Sequence, residues 1–213
     1  INRTESYDFT EKSCVWGEDD IGKTLTYIKL TSGSITAMVL THNNKYLITG
    51  TGKNLKIWDV FTEGPFTQSI MLTEVHYNIS SIILDQISSL AISKDDKFLI
   101  SGGSDKQIRI WDLHNKVVVG NIEGAHNSRK VVNLLINLDE VTSINLISEG
   151  KYFITTSGDG FIKIWDLESR KCLETFQEAH QGFENYINLT ESYIRSAALT
   201  KDDKILVTTC DEK

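Results

Sequence analysis

Four short stretches along the chain have the same grammar, a lysine followed by a run of apolar residues that ends in a small hydroxyl side chain. They are Lys45-Tyr46-Leu47-Ile48-Thr49, Lys97-Phe98-Leu99-Ile100-Ser101, Lys151-Tyr152-Phe153-Ile154-Thr155 and Lys204-Ile205-Leu206-Val207-Thr208. Such runs, rich in β-branched and aromatic residues, predict strands. Each follows a polar trio: His42-Asn43-Asn44, Lys94-Asp95-Asp96, Ser148-Glu149-Gly150 and Lys201-Asp202-Asp203. These residue types tolerate the left-handed backbone region or cap a turn with a side-chain oxygen, so each predicts a hairpin turn. The strand on the other side of each hairpin is predicted at 35–40, 88–92, 142–147 and 195–199.

A third strand follows, marked by a phrase that recurs almost unchanged: Leu55-Lys56-Ile57-Trp58-Asp59, Ile108-Arg109-Ile110-Trp111-Asp112 and Ile162-Lys163-Ile164-Trp165-Asp166. Trp58 and Trp111 are 53 residues apart, and Trp111 and Trp165 are 54 apart. A fixed interval of this size signals propeller or solenoid repeats. A fourth strand is predicted at 67–72, 117–122 and 172–176. A four-stranded antiparallel unit of this kind has two apolar faces, and radial stacking lets neighbouring units cover each other.

The repeat resembles the WD-repeat (Trp-Asp repeat) family. The likeness rests on the terminal Trp-Asp, on the pairs Val75-His76, Ala125-His126 and Ala179-His180 that open the next unit, and on Asp105 and Asp159, each six residues before a tryptophan. It implies an all-β fold, a β-propeller of four-stranded antiparallel blades, with about four blades represented and the sequence expected to be part of a larger ring. The partial propeller spans 1–213, with a degenerate partial blade at 1–32, blades at 33–76, 87–126 and 141–180, and a truncated blade at 194–213. In the first blade Cys14-Val15-Trp16-Gly17 holds the Trp-Asp slot. An alternative closure would pair the strand around Cys14 with the one ending at Thr208, making a four-bladed ring.

By the same resemblance, His76, Ser101, Asp105 and Trp111 form one structural tetrad, and His126, Thr155, Asp159 and Trp165 form a second. A Ser-His-Asp set also suggests a hydrolase, but a catalytic site is needed once, whereas this constellation recurs and accepts Thr for Ser. Buried polar groups needing partners explain it without chemistry. Lys56, Arg109 and Lys163 share a register two residues before each tryptophan, and are expected to cover apolar surface with their stems while their heads reach water, a ligand-binding ring being the alternative.

Composition narrows the classes of function. The formal charge of −7 argues against direct nucleic-acid binding. No apolar run approaches the ~20 residues of a membrane span. Three widely spaced cysteines, Cys14, Cys172 and Cys210, suggest neither a disulfide framework nor a zinc site. The expected location is therefore the cytoplasm or another reducing intracellular compartment. Asn2, Asn78 and Asn188 begin glycosylation sequons, which arise by accident in a chain this rich in Asn, Ser and Thr. No phosphate-cradling glycine loop or nucleophile elbow is present, Gly102-Gly103 and Gly158-x-Gly160 being assigned to hairpin turns, so neither enzyme activity nor a cofactor or metal is expected.

The interval of 53 or 54 exceeds the repeat length of ~40–45, and the excess lies between each histidine and the next strand, at 77–86, 127–140 and 181–193. The resemblance places these loops on the face where WD-repeat proteins commonly hold partners. They are partly apolar and end in acid, so Asp85, Asp139, Glu140 and Glu191, with Arg129, Lys130 and Tyr186, are the candidate partner-binding residues. The expected function is a non-enzymatic protein–protein interaction scaffold, a subunit of a multiprotein complex whose partners include proteins with a basic surface. Two rivals remain: a reader of one peptide or modified tail, and the propeller region of a larger enzyme.

Overall fold

The structure, a computed structural model, describes residues 12–15, 26–29, 34–60, 68–72, 86–126, 140–176 and 193–210. Sixteen strands in five antiparallel sheets are found among these residues. Strands β1 (Lys12–Val15) and β2 (Thr26–Lys29) form a two-stranded sheet. Three four-stranded sheets follow in simple meander order. The first contains β3 (Ile35–Leu40), β4 (Tyr46–Thr51), β5 (Asn54–Asp59) and β6 (Gln68–Leu72). The second contains β7 (Ile87–Ile92), β8 (Phe98–Gly103), β9 (Ile108–Asp112) and β10 (Val117–Ile122). The third contains β11 (Val141–Ile147), β12 (Tyr152–Ser157), β13 (Ile162–Asp166) and β14 (Cys172–Phe176). A last hairpin joins β15 (Ile194–Leu199) to β16 (Leu206–Cys210).

The turn chemistry appears in the backbone. Asn44, Asp96, Glu149 and Asp203 lie at φ +59°, +57°, +58° and +57°, the left-handed region where short polar side chains are best tolerated. In two blades the aspartate of such a turn also reaches across to the preceding blade. The Asp96 carboxylate accepts the backbone N–H groups of His42 and Asn43 at 2.7 and 2.9 Å, and Asp203 accepts that of Ser148 at 2.8 Å. Burial alone would push the Asp96 carboxyl up, but these two N–H groups and the His42 ring outweigh it and hold it below its usual range.

The hydrophobic core lies between sheets. Ile48, Leu55 and Ile57 of the first four-stranded sheet pack with Ile87, Ile92, Leu99 and Trp111 of the second. Ile100, Ile108 and Ile110, on the opposite side of the second sheet, pack with Val141, Ile144, Phe153 and Trp165 of the third. Adjacent residues Leu99 and Ile100, both fully buried, therefore enter different interfaces. This is why the second strand of each blade reads as a continuous apolar run: successive side chains point to opposite faces, and both faces are covered. Side-chain hydroxyls bridge neighbouring inner strands, with Thr36 donating to the Ile87 carbonyl and Ser88 to that of Val141.

One expectation is corrected. Gly102 and Gly103 are not turn residues but end strand β8. A Cβ on Gly102 would stand 2.6 Å from Val141 Cγ1 and 2.8 Å from its Cβ, so the absent side chain lets the next blade approach. Gly102→Ala is expected to cost about 1–3 kcal/mol through overpacking, measured from the urea midpoint. At Gly120 the same substitution meets only the flexible end of Arg170 and should change stability by less than about 0.5 kcal/mol. Among the described residues, β1 pairs with β2 and β16 pairs with β15.

Candidate functional site

The third strand carries its tryptophan beside a hydroxyl of the second strand in all three four-stranded sheets. Trp58 Nε1 donates to Thr49 Oγ1 at 2.9 Å, Trp111 Nε1 to Ser101 Oγ at 3.0 Å, and Trp165 Nε1 to Thr155 Oγ1 at 2.8 Å. The three tryptophans are 4%, 6% and 5% exposed, so an indole N–H there needs a protein acceptor.

In the third sheet the bond is the start of a relay. His126 Nε2 lies 2.9 Å from Thr155 Oγ1, and its Nδ1 lies 3.2 Å from both oxygens of Asp159. The ends set the direction of the outer bonds. An indole can only donate and a carboxylate can only accept, so Trp165 donates to Thr155 and the Nδ1–H donates to Asp159. Thr155 and His126 are fully buried and Asp159 is 3% exposed. Burial would raise the Asp159 carboxyl, but the hydrogen bond and electrostatic attraction of His126, followed by the Phe161 N–H and Ser157, hold it below its ordinary value.

In the second sheet Asp105, 4% exposed, binds Arg109 Nη1 at 2.7 Å, while Arg109 Nη2 donates to Gln107 Oε1 at 3.0 Å. His76 lies outside the described residues. The three cations in the Arg109 register also depart from the expected snorkelling. Lys163 Nζ donates to the Ala125 carbonyl at 2.6 Å, and Lys56 is only 6% exposed. For Arg109 and Lys163 the reason is local: the tryptophan side of the strand faces buried oxygens, and hydrogen bonding to these replaces hydration of the charged head.

Of the candidate partner-binding residues only Glu140 is described; Asp85, Arg129, Lys130, Asp139, Tyr186 and Glu191 lie outside the described residues. Glu140 immediately precedes β11 and accepts a hydrogen bond from the Tyr193 hydroxyl. Tyr193 in turn lies under Arg195, whose guanidinium carbon is 4.4 Å from the ring centroid. Burial pushes the Glu140 carboxyl up, against the opposing attraction of Arg195. Sequence reasoning missed Tyr193 and Arg195 here; their signal is a shared slot, since Gln86, Glu140 and Tyr193 each immediately precede an inner strand. Among the described residues no group of three or more His, Cys, Asp or Glu side chains could hold a metal ion.

The pattern of the family described as "WD domain, G-beta repeat" matches residues 22–59, 79–112 and 133–166, each match ending on a Trp-Asp. Mitochondrial division protein 1 of Candida glabrata is 27% identical over 122 residues, 57% of this chain and 15% of that protein. Nuclear distribution protein PAC1 of Arthroderma benhamiae is 23% identical over 164 residues, 71% of this chain and 33% of that protein. Protein groucho of Drosophila melanogaster is 26% identical over 137 residues, 64% of this chain and 16% of that protein. The chain thus spans between 15% and 33% of the length of these curated relatives.

Proposed function

Because the chain belongs to the WD-repeat family, we propose that it is a non-enzymatic scaffold whose blades hold other proteins within a larger assembly. One observation carries this reading: the His126, Thr155 and Asp159 set that would otherwise suggest hydrolysis is sealed in the core, with Thr155 and His126 fully buried. A nucleophile must reach substrate beside an oxyanion hole, whereas this hydroxyl is already committed to an indole on one side and an imidazole on the other. The two tetrads are accordingly structural devices, and the aspartate of each holds a buried cation or imidazole.

The partners dock on the loops between each histidine and the next inner strand. Glu140, with Tyr193 and Arg195 beside it, supports this by placing a partly desolvated carboxylate where two of those loops meet inner strands. Charge there favours partners with basic surfaces, mainly by raising association rate and selectivity. The proposed location is a reducing intracellular compartment, which suits Cys172 and Cys210, both free thiols. No helix among the described residues is long and apolar enough to cross a membrane.

Replacing Asp85, Asp139 and Glu191 together with Lys is expected to weaken a purified partner at least tenfold while leaving the unfolding midpoint within about 0.5 kcal/mol of wild type. Unchanged affinity would remove the acidic-platform version of this proposal. Isothermal titration and urea unfolding of the same sample separate the two outcomes.

A further inference from the structure

The first four-stranded blade keeps the indole-to-hydroxyl bond of its neighbours but not their carboxylate. Its third strand is reached through Thr51-Gly52-Lys53, where the next two blades have Ser104-Asp105-Lys106 and Gly158-Asp159-Gly160. Register places Thr49 opposite Lys56 and Thr51 opposite Asn54, so Thr49, Thr51, Lys56 and Trp58 share one face of the sheet.

On the corresponding face of the other blades the cation ends on an oxygen: Arg109 on the Asp105 carboxylate at 2.7 Å, Lys163 on the Ala125 carbonyl at 2.6 Å. Lys56 is more deeply buried than a lone ammonium tolerates, at 6% exposed, and makes no ion pair with any described residue. Beside it, among the described residues, the Thr51 hydroxyl is the buried side-chain oxygen with no hydrogen-bond partner. The turn itself is open: apart from its two chain neighbours, no described atom lies within 4 Å of the position a Gly52 Cβ would take. A buried ammonium and an unsatisfied hydroxyl on one face offer charge-assisted donation to a single anion.

We propose that Lys56, Thr51 and the Gly52 turn form a receptor for one carboxylate supplied from outside the blade, either an acidic side chain of a bound polypeptide or a small free carboxylate. A carboxylate suits the site because the neighbouring blade places that group on the residue aligned with Lys56. One ammonium and one hydroxyl match its two oxygens. The test reads Lys56 and Thr51 rather than the loop residues Asp85, Asp139 and Glu191, so either proposal can fail without the other.

Thermal unfolding of the intact chain, with sodium chloride replaced by sodium acetate at constant ionic strength, tests the assignment. Acetate is expected to raise the Tm of wild type with a saturating dose response, through ligand binding to the folded state. Lys56→Met, an apolar replacement of similar length, should abolish the response. Thr51→Val should raise the half-saturating acetate concentration about threefold to tenfold, the loss of one hydrogen bond. An equal response to chloride, or responses in both variants equal to that of wild type, overturns the proposal. A labelled hexaglutamate peptide then identifies the source: micromolar binding that acetate displaces and Lys56→Met removes assigns a polypeptide side chain, whereas acetate binding alone assigns a free carboxylate.

Discussion

Phe153→Ala is expected to destabilise the chain by about 3–5 kcal/mol. The side chain is fully buried in the cluster between the second and third four-stranded sheets. Its ring is nearly parallel to that of Trp165, with centroids 6.1 Å apart and 11° between planes. Alanine would remove that contact and leave a cavity that strands on both sides cannot collapse to fill, because their hydrogen-bonded register holds them. Phe153→Leu, which matches Leu47, Leu99 and Leu206 in the same slot of the other repeats, should cost only about 1 kcal/mol. Ile205→Ala, at a side chain 59% exposed, should stay within about 0.5 kcal/mol. Urea midpoints for the three variants check the series; a Phe153→Ala loss near that of Ile205→Ala would mean the core between these sheets is not packed as described.

The second large effect is expected at Asp159. Its carboxylate closes the relay through His126 and also accepts the Phe161 N–H at 3.0 Å. Asp159→Ala would leave a fully buried imidazole with one nitrogen unmatched, and breaking a buried pair of this kind costs about 3–5 kcal/mol. The folded-state value of Asp159 lies below its ordinary one, so ionised Asp159 stabilises the fold. That stabilisation is fully present above the unfolded carboxylate value of about 3.9 and is lost as pH falls through the still lower folded value. The stability gap between wild type and Asp159→Asn should therefore be constant above about pH 5 and shrink below about pH 4. A gap that widens on acidification would contradict the sign of the shift.

Much of the fold is legible in the sequence because strand alternation and left-handed turns are local properties. Lys97-Phe98-Leu99-Ile100-Ser101 already contains both buried faces of β8, and Asp96 already announces the turn before it. The members of each relay could be aligned for the same reason, since Thr155, Asp159 and Trp165 keep fixed offsets within one hairpin. Destinations across the sheet stack were not legible. Nothing local shows that Lys163 reaches the Ala125 carbonyl or that Asp96 serves the turn of another blade. The glycines misled for a related reason: Gly102-Gly103 looks like a turn by composition, and only the proximity of Val141 explains why a strand ends in residues without side chains.

The bonds that tie one blade to the next span nearly equal stretches of chain. Thr36 to Ile87 covers 51 residues, His42 to Asp96 covers 54, Ser88 to Val141 covers 53, and Ser148 to Asp203 covers 55. The entropy lost in closing a loop grows only with the logarithm of its length, so these closures differ by less than about 0.1 kcal/mol. Chain entropy gives no interface precedence during folding. The order in which blades assemble is left to the quality of their contacts, and assembly can start wherever apolar burial is densest and spread to neighbours on either side. The interface holding Phe153 and Trp165 is the natural starting point, and early amide protection in β8, β9, β12 and β13 would be its signature.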